Sequence, residues 1–163
     1  SITIVDIGYV DRTEIAKELR IVNKYKPKVI GLDFLLTADS LEKDIPLIEE
    51  LAKTKNMVRA MVLHNNHPTH STRWDSLEQF HAKFRFGKQG FSNMTITNDS
   101  IIVREMPMRQ FIQENIQYAF SYQVASQFDY YKVKPKYEIG TRDFLFDESI
   151  FNYSFKLFQR KIC

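Results

Sequence analysis

The sequence predicts an α/β fold: a mixed β-sheet with a parallel βαβαβ core, an added antiparallel hairpin and a long packed helix. Two observations carry that expectation. Nearly continuous apolar, β-branched runs at 2–7, 28–34 and 56–63 have the character of strands buried on both faces. Between them lie segments whose apolar residues recur at helical spacing, and strands alternating with helices make a parallel sheet. A third observation sets the scale, because 163 residues with 44% apolar composition correspond to one domain, 1–163, with one core. Thirteen Phe and eight Tyr supply large buried area per residue, so that core needs neither metal nor disulfide staples.

In chain order, the first strand spans Ile2–Ile7 and ends near Asp6 and Gly8. Asp11 stands three residues before Glu14, the spacing of a capped helix start, and Ile15, Leu19 and Val22 with Ala16 form its apolar stripe. Lys24 and Lys26 suit the negative end of the helix dipole, and Pro27 stops it. Lys28–Phe34 is the second strand, completing a βαβ unit with a right-handed crossover. Leu35–Lys43 reads as a connection, with Asp44 as N-cap and Pro46 in the first turn of a second helix whose stripe is Leu47, Ile48 and Leu51. Asn56–Leu63 is the third strand, and polar 64–74 an exposed loop. A short helix is expected at 76–84, then a hairpin of 90–97 and 100–105 turning at Asn98-Asp99. Met108, Ile112, Ile116, Ala119, Phe120, Val124 and Phe128 predict the long helix, and Phe144–Phe158 a final strand or hairpin.

Composition excludes several classes of function. Cys163 is the one cysteine, so an internal disulfide, a thiolate metal cage and a cysteine redox pair are all impossible. Net charge is +3 and the densest basic cluster is Lys132, Lys134 and Lys136, too sparse to predict nucleic-acid binding. The best apolar run, Val29–Leu36, is cut by Asp33 and falls far short of a membrane span. The five glycines form no phosphate-binding spacing, and no G-x-S-x-G elbow exists, so neither a nucleotide nor any other cofactor is expected.

The remaining candidates sit at predicted strand and hairpin ends. Asp6 and Asp33 would end two adjacent parallel strands, where α/β folds place ligands and where two acids can hold a hard metal or a basic ligand. The structural alternative is loop capping, or pairing with Arg12 or Lys28. His64, His67 and His70 recur every three residues, with His81 further on, but Pro68 and flanking Asn and Thr place the first three in a loop without an acid, so no metal site is expected there. Arg104 at a hairpin end can bind a carboxylate or phosphate, or bridge to Asp99 or Glu105. Phe111 and Phe120 read as core residues, and the Asn-x-Ser/Thr triplets at Asn93, Asn98 and Asn152 are assigned no role.

In their order and spacing these features resemble the CHASE sensory domains of the second type, the sensory regions associated with cyclases and histidine kinases. The residues that carry the resemblance are Val5-Asp6-Ile7, Arg12, Pro27-Lys28-Val29-Ile30-Gly31-Leu32-Asp33-Phe34 and Asp44–Leu47. In the second half they are Gly90-Phe91-Ser92-Asn93, Val103-Arg104-Glu105-Met106-Pro107 and the helix predicted from Met108. Where the family often carries W-P-W-P-R, this chain has Gly8-Tyr9-Val10-Asp11-Arg12, and Arg160-Lys161-Ile162-Cys163 resembles the start of the family's last strand. The resemblance implies a non-catalytic sensory input domain, excised from a longer bacterial membrane receptor and facing the periplasm. Its partners would be a small-molecule or protein stimulus and flanking membrane helices, with room for a homodimer. The expected ligand-binding set is Asp6, Arg12, Asp33, Asp44 and Arg104. The rival readings are a divalent-metal hydrolase using Asp6 and Asp33, and a cell-envelope interaction module using the aromatic C-terminal segment.

Overall fold

The apolar run after Asn56 becomes the central strand of the fold, described by a computed structural model for residues 2–37, 41–66, 74–93 and 108–129. Its elements are α1 (Arg12–Lys24), β1 (Ile30–Leu32), α2 (Leu41–Lys53), β2 (Met57–His64), β3 (Ser76–Glu78), a 3-10 turn (Ala82–Phe84), β4 (Lys88–Phe91), β5 (Arg109–Ile112), β6 (Asn115–Tyr118) and α3 (Phe120–Phe128). The expected α/β class with a sheet of mixed direction is what forms. β1 and β4 pair parallel to the two edges of β2, in the registers Ile30↔Met57 and Val58↔Lys88. β3 pairs antiparallel to the last three residues of β2. Alternate β2 residues bond to opposite edges. The His64 carbonyl, which accepts from Asp75, therefore faces the same edge as the Asn56 carbonyl, which accepts from Ile30. β3 thus continues that edge beyond the end of β1.

The two sheet faces are covered by different helices. Ile30, Leu32 and Met57 pack with Ala16 and Leu19 of α1 and Leu47 and Leu51 of α2, together with Leu36, Phe80 and Phe84. Gly31 faces the other way, where an added Cβ would lie 2.9 Å from the Phe120 ring and 3.3 Å from Val124 of α3. At Gly90 the backbone of Phe120 itself would be met at 2.6 Å, so both glycines are where α3 comes closest to the sheet. A second cluster of Met61, Leu63, Phe91, Ile112 and Ala119 joins the sheet to the β5–β6 hairpin, through a bridge between Phe91 and Ala119.

Local chemistry explains the helices. The Asp11 carboxylate accepts from the amides of Thr13 and Glu14 at 2.9 and 3.0 Å, capping α1 as its sequence predicts. α2 begins at Leu41, so Asp44 is a residue within the helix rather than its cap, and Pro46 lies inside the second turn. Proline there removes one ladder bond. Full burial of Leu47 and Leu51, worth about 2–3 kcal/mol each, outweighs that loss.

Several expected elements take another form. Ile2–Ile7 forms no strand and pairs with none of the described residues, with Ile2, Ile4 and Val5 at least half exposed, so the βαβ unit observed is β1–α2–β2 rather than one starting at Ile2. An apolar pattern reports side chains, not a pairing partner, and Gly8 at φ +57° redirects the chain before α1. The helix expected at 76–84 is β3 plus the 3-10 turn, since Leu77 packs into the second cluster from an extended strand. β4 starts at Lys88, two residues before the strand expected at 90–97, and the proposed turn at Asn98-Asp99 lies outside the described residues.

The long helix keeps only its second half. Its first half is the β5–β6 hairpin, turned at Gln113 and Glu114, both with positive φ. Apolar residues four apart share a face in either a helix or a strand, because four is also an even number. The hairpin then buries Ile112 and leaves Ile116 half exposed. The final strand or hairpin expected at 144–158 lies outside the described residues, as do Lys132, Lys134 and Lys136.

Candidate functional site

The connection from β1 delivers the start of α2 to the carboxyl end of the parallel strands, and α1 lies beside α2 in the same direction. Three rungs establish this. Arg12 meets Asp44, Arg20 meets Glu50 at 3.1 Å, and Asn23 donates to the Thr54 hydroxyl at 2.9 Å. Residue numbers advance together along both helices, as they must when neighbouring helices are parallel.

At the first rung Asp44 is 1% exposed and carries a cation on each carboxylate oxygen. Arg12 Nη1 donates to Oδ1 and Lys83 Nζ to Oδ2, the latter at 2.6 Å. Both cations also sit over the buried ring of Phe84, 5.2 and 5.4 Å from its centroid. A carboxylate removed from water requires such partners, because burying it unpaired costs several kcal/mol. The network thus locks α1, α2 and the 3-10 turn together. Chemically, Asp44 is committed to two cations rather than presented as a free base or metal ligand. The side chains of Arg12 and Lys83 remain 17% and 23% exposed.

Of the five expected ligand residues, the structure brings together Arg12 and Asp44. Asp6 lies in the exposed segment before α1, its carboxylate accepting from the Gly8 amide at 2.9 Å, and so does not end a strand beside Asp33. Asp33 is exposed immediately after β1 and has no polar partner among the described residues. Arg104 lies outside the described residues. Lys83 and Phe84, which complete the network, were not singled out from the sequence. They belong to a segment that reads as an amphipathic helix, and nothing local indicates that its lysine meets an acid 39 positions earlier.

The histidines do not assemble. His64 pairs with Glu78 at 3.1 Å on the surface, and His81 donates its backbone amide to the Leu36 carbonyl at 2.7 Å, while its Nδ1 is buried without a partner. His67 and His70 lie outside the described residues, among which no group of three His, Cys, Asp or Glu is arranged to hold a metal.

Another buried ion has no acid partner among the described residues. Arg59 on β2 donates to the carbonyls of Phe86 and Gly87 and to the Gln89 side chain, at 2.9, 3.1 and 2.9 Å, but its Nε meets no acceptor. Burial, and then the neighbouring positive charge of Arg85, pull its pKa below the usual arginine value. It works as a peg that positions the turn into β4. At the junction of hairpin and α3, Met108, Arg109, Tyr118 and Tyr122 line a cavity of about 30 Å³, room for little more than a water molecule.

The family model for the CHASE2 domain matches residues 3–161. The chain belongs to the CHASE2 domain family. No curated protein and no solved structure matches it. CHASE2 domains are extracellular sensory domains, which supports a role in sensory input. In this CHASE2 domain the residues that carry the sequence resemblance have structural tasks. Arg12 clamps Asp44, and Gly31 and Gly90 admit α3. Asn93 uses its side-chain amide to donate to the Leu63 carbonyl and accept from the Leu63 amide, at 2.9 and 2.6 Å. It thereby extends the edge of β2 beyond the end of β4. Among the described residues no helix is long and apolar enough to cross a membrane.

Proposed function

We propose that this CHASE2 domain is the periplasmic, non-catalytic input module of a bacterial transmembrane receptor, flanked by membrane helices. The stimulus is read at the carboxyl end of the parallel strands. The observation that carries the reading is a family match spanning residues 3–161, practically the whole chain, to a family of extracellular sensory domains. The geometry supports a binding role at that end. Arg12 and Lys83 offer partly exposed cationic edges, Asp33 offers a solvent-facing acid, and Asp44 holds the cations in place. A small anion or zwitterion bound there would draw on the charges that hold α1 against α2. A change of state requires that it bind the two helix arrangements with different affinity.

The hydrolase alternative required Asp6 and Asp33 of one chain at adjacent strand ends, and within this chain Asp6 lies in no strand. A thermal-shift screen of small acids, amino acids, sugars, nucleotides and divalent metals tests the reading. A ligand at about 100 times its Kd adds roughly 2.7 kcal/mol. The expected result is stabilisation by an anion or zwitterion, lost in Lys83→Met and kept in Arg20→Ala, with the ligand recovered unchanged. Metal-dependent stabilisation lost in Asp33→Asn, accompanied by turnover, would overturn it in favour of an enzyme.

A further inference from the structure

β1 is bonded along one edge only among the described residues, to β2. Because the Ile30 amide donates to the Asn56 carbonyl, the alternation of a parallel ladder turns the N–H and C=O of Gly31 toward the opposite edge, where Gly31 is exposed. The same chain carries a strand-like sequence that joins no ladder among the described residues. Ile2-Thr3-Ile4-Val5 is β-branched throughout, yet it lies in no helix or strand and its three apolar residues are 63, 61 and 50% exposed. The helices indicate where such a strand fits. Parallel neighbours on one sheet face are what two successive right-handed crossovers produce, so the strand that feeds α1 belongs in parallel alongside the outer edge of β1. Between strand and helix, Gly8 adopts φ +57° with open space around it and Tyr9 is fully exposed, a junction at which the segment can swing away from its own domain.

We propose that the outer edge of β1 is closed by Ile2–Ile7 of a second copy of this chain, the two copies exchanging these segments reciprocally across a two-fold axis. A β-branched segment and a sheet edge that both have no ladder partner among the described residues are the two halves of such an interface. Exchange covers the exposed Ile2, Ile4 and Val5 and supplies ladder partners to Gly31 in both copies at once.

The test uses the whole chain in a Cys163→Ser background. Sedimentation equilibrium should show a dimer, with Ile4→Asp weakening association by about tenfold or more, or roughly 1.4 kcal/mol. Ile4 is exposed, so this variant should retain its far-UV spectrum. Independently, a chain carrying Ile4→Cys should form a disulfide under mild oxidation with a tagged chain carrying Asp33→Cys, giving a mixed-size species. A monomer at all concentrations would overturn the proposal, as would a dimer indifferent to Ile4→Asp that yields no mixed disulfide. A monomer whose Gly31 amide exchanges slowly, and rapidly in Ile4→Asp, would also overturn it by showing that the edge takes the chain's own segment. None of these outcomes depends on what the domain senses.

Discussion

Replacing Asp44 by Asn removes one negative charge from the first α1–α2 rung while keeping the side chain's size. Asp44 engages Arg12 and Lys83 through its two oxygens, and hydrogen bonds to charged groups contribute about 1.5–3 kcal/mol each. Losing both would cost about 3–6 kcal/mol if the cations stayed where they are. They are 17% and 23% exposed and can turn partly to water, and an amide can still accept one weaker bond, so the expected loss is about 2–4 kcal/mol. At about 2 kcal/mol per molar urea, that is a midpoint lower by about 1–2 M. Trp74, the one tryptophan, packs against the second core cluster and reports the transition by fluorescence. Arg20→Ala is the internal control. Glu50 is buried, but Arg20 is 57% exposed, so the rung they form should contribute less than about 1 kcal/mol. If Asp44→Asn cost no more than Arg20→Ala, or if a double-mutant cycle found no coupling between positions 44 and 83, the account of this network as the clamp between the helices would be wrong.

Two further outcomes test the packing. Gly31→Ala should lose about 1–2 kcal/mol, because the new methyl meets the end of the Phe120 ring, and Phe120→Leu should recover part of that; Gly90→Ala meets the Phe120 and Ala119 backbone, should lose about 3 kcal/mol or more, and should not be rescued. Thermal unfolding of the four variants and the Phe120→Leu parent decides it, and equal penalties at the two glycines would contradict the assigned position of α3. Arg59→Lys should destabilise by about 1–3 kcal/mol, since one ammonium cannot serve the Phe86 and Gly87 carbonyls and Gln89 together. Hydrogen exchange should accelerate at the amides of β4, and unchanged exchange there would remove Arg59 from its role at that turn.

Much of the fold was legible where local chemistry and burial point the same way. Asp11 with Glu14 three residues on, the Ala16–Leu19 stripe and Pro27 bound α1 correctly, and the apolar run of β2 could hardly be anything but a central strand. The errors occur where a pattern is compatible with two structures. Met108, Ile112 and Ile116 fit a helix or a strand, and the two positive-φ residues that settle the matter, Gln113 and Glu114, are not residue types that announce a hairpin turn. Pro46 suggested a helix start at Asp44, but burial of Leu47 and Leu51 carries α2 through it from Leu41. At the site, the sequence places Arg12 and Asp44 in one ligand set without indicating that they meet, and it does not point to Lys83 or Phe84.

By itself the sequence determined the α/β class, the order of its first helices and central strand, and the motif order that marks a CHASE2 domain, because these depend on near-neighbour spacing and on which residues avoid water. Only the tertiary structure decided that Asp44 is a buried anion between two cations and that Asp6 stands apart from Asp33. It likewise decided that Ile2–Ile7 lies outside the sheet its composition suits. Those outcomes depend on residues tens of positions apart arriving at the same place, and on whether a strand finds an edge to pair with, neither of which a local pattern encodes.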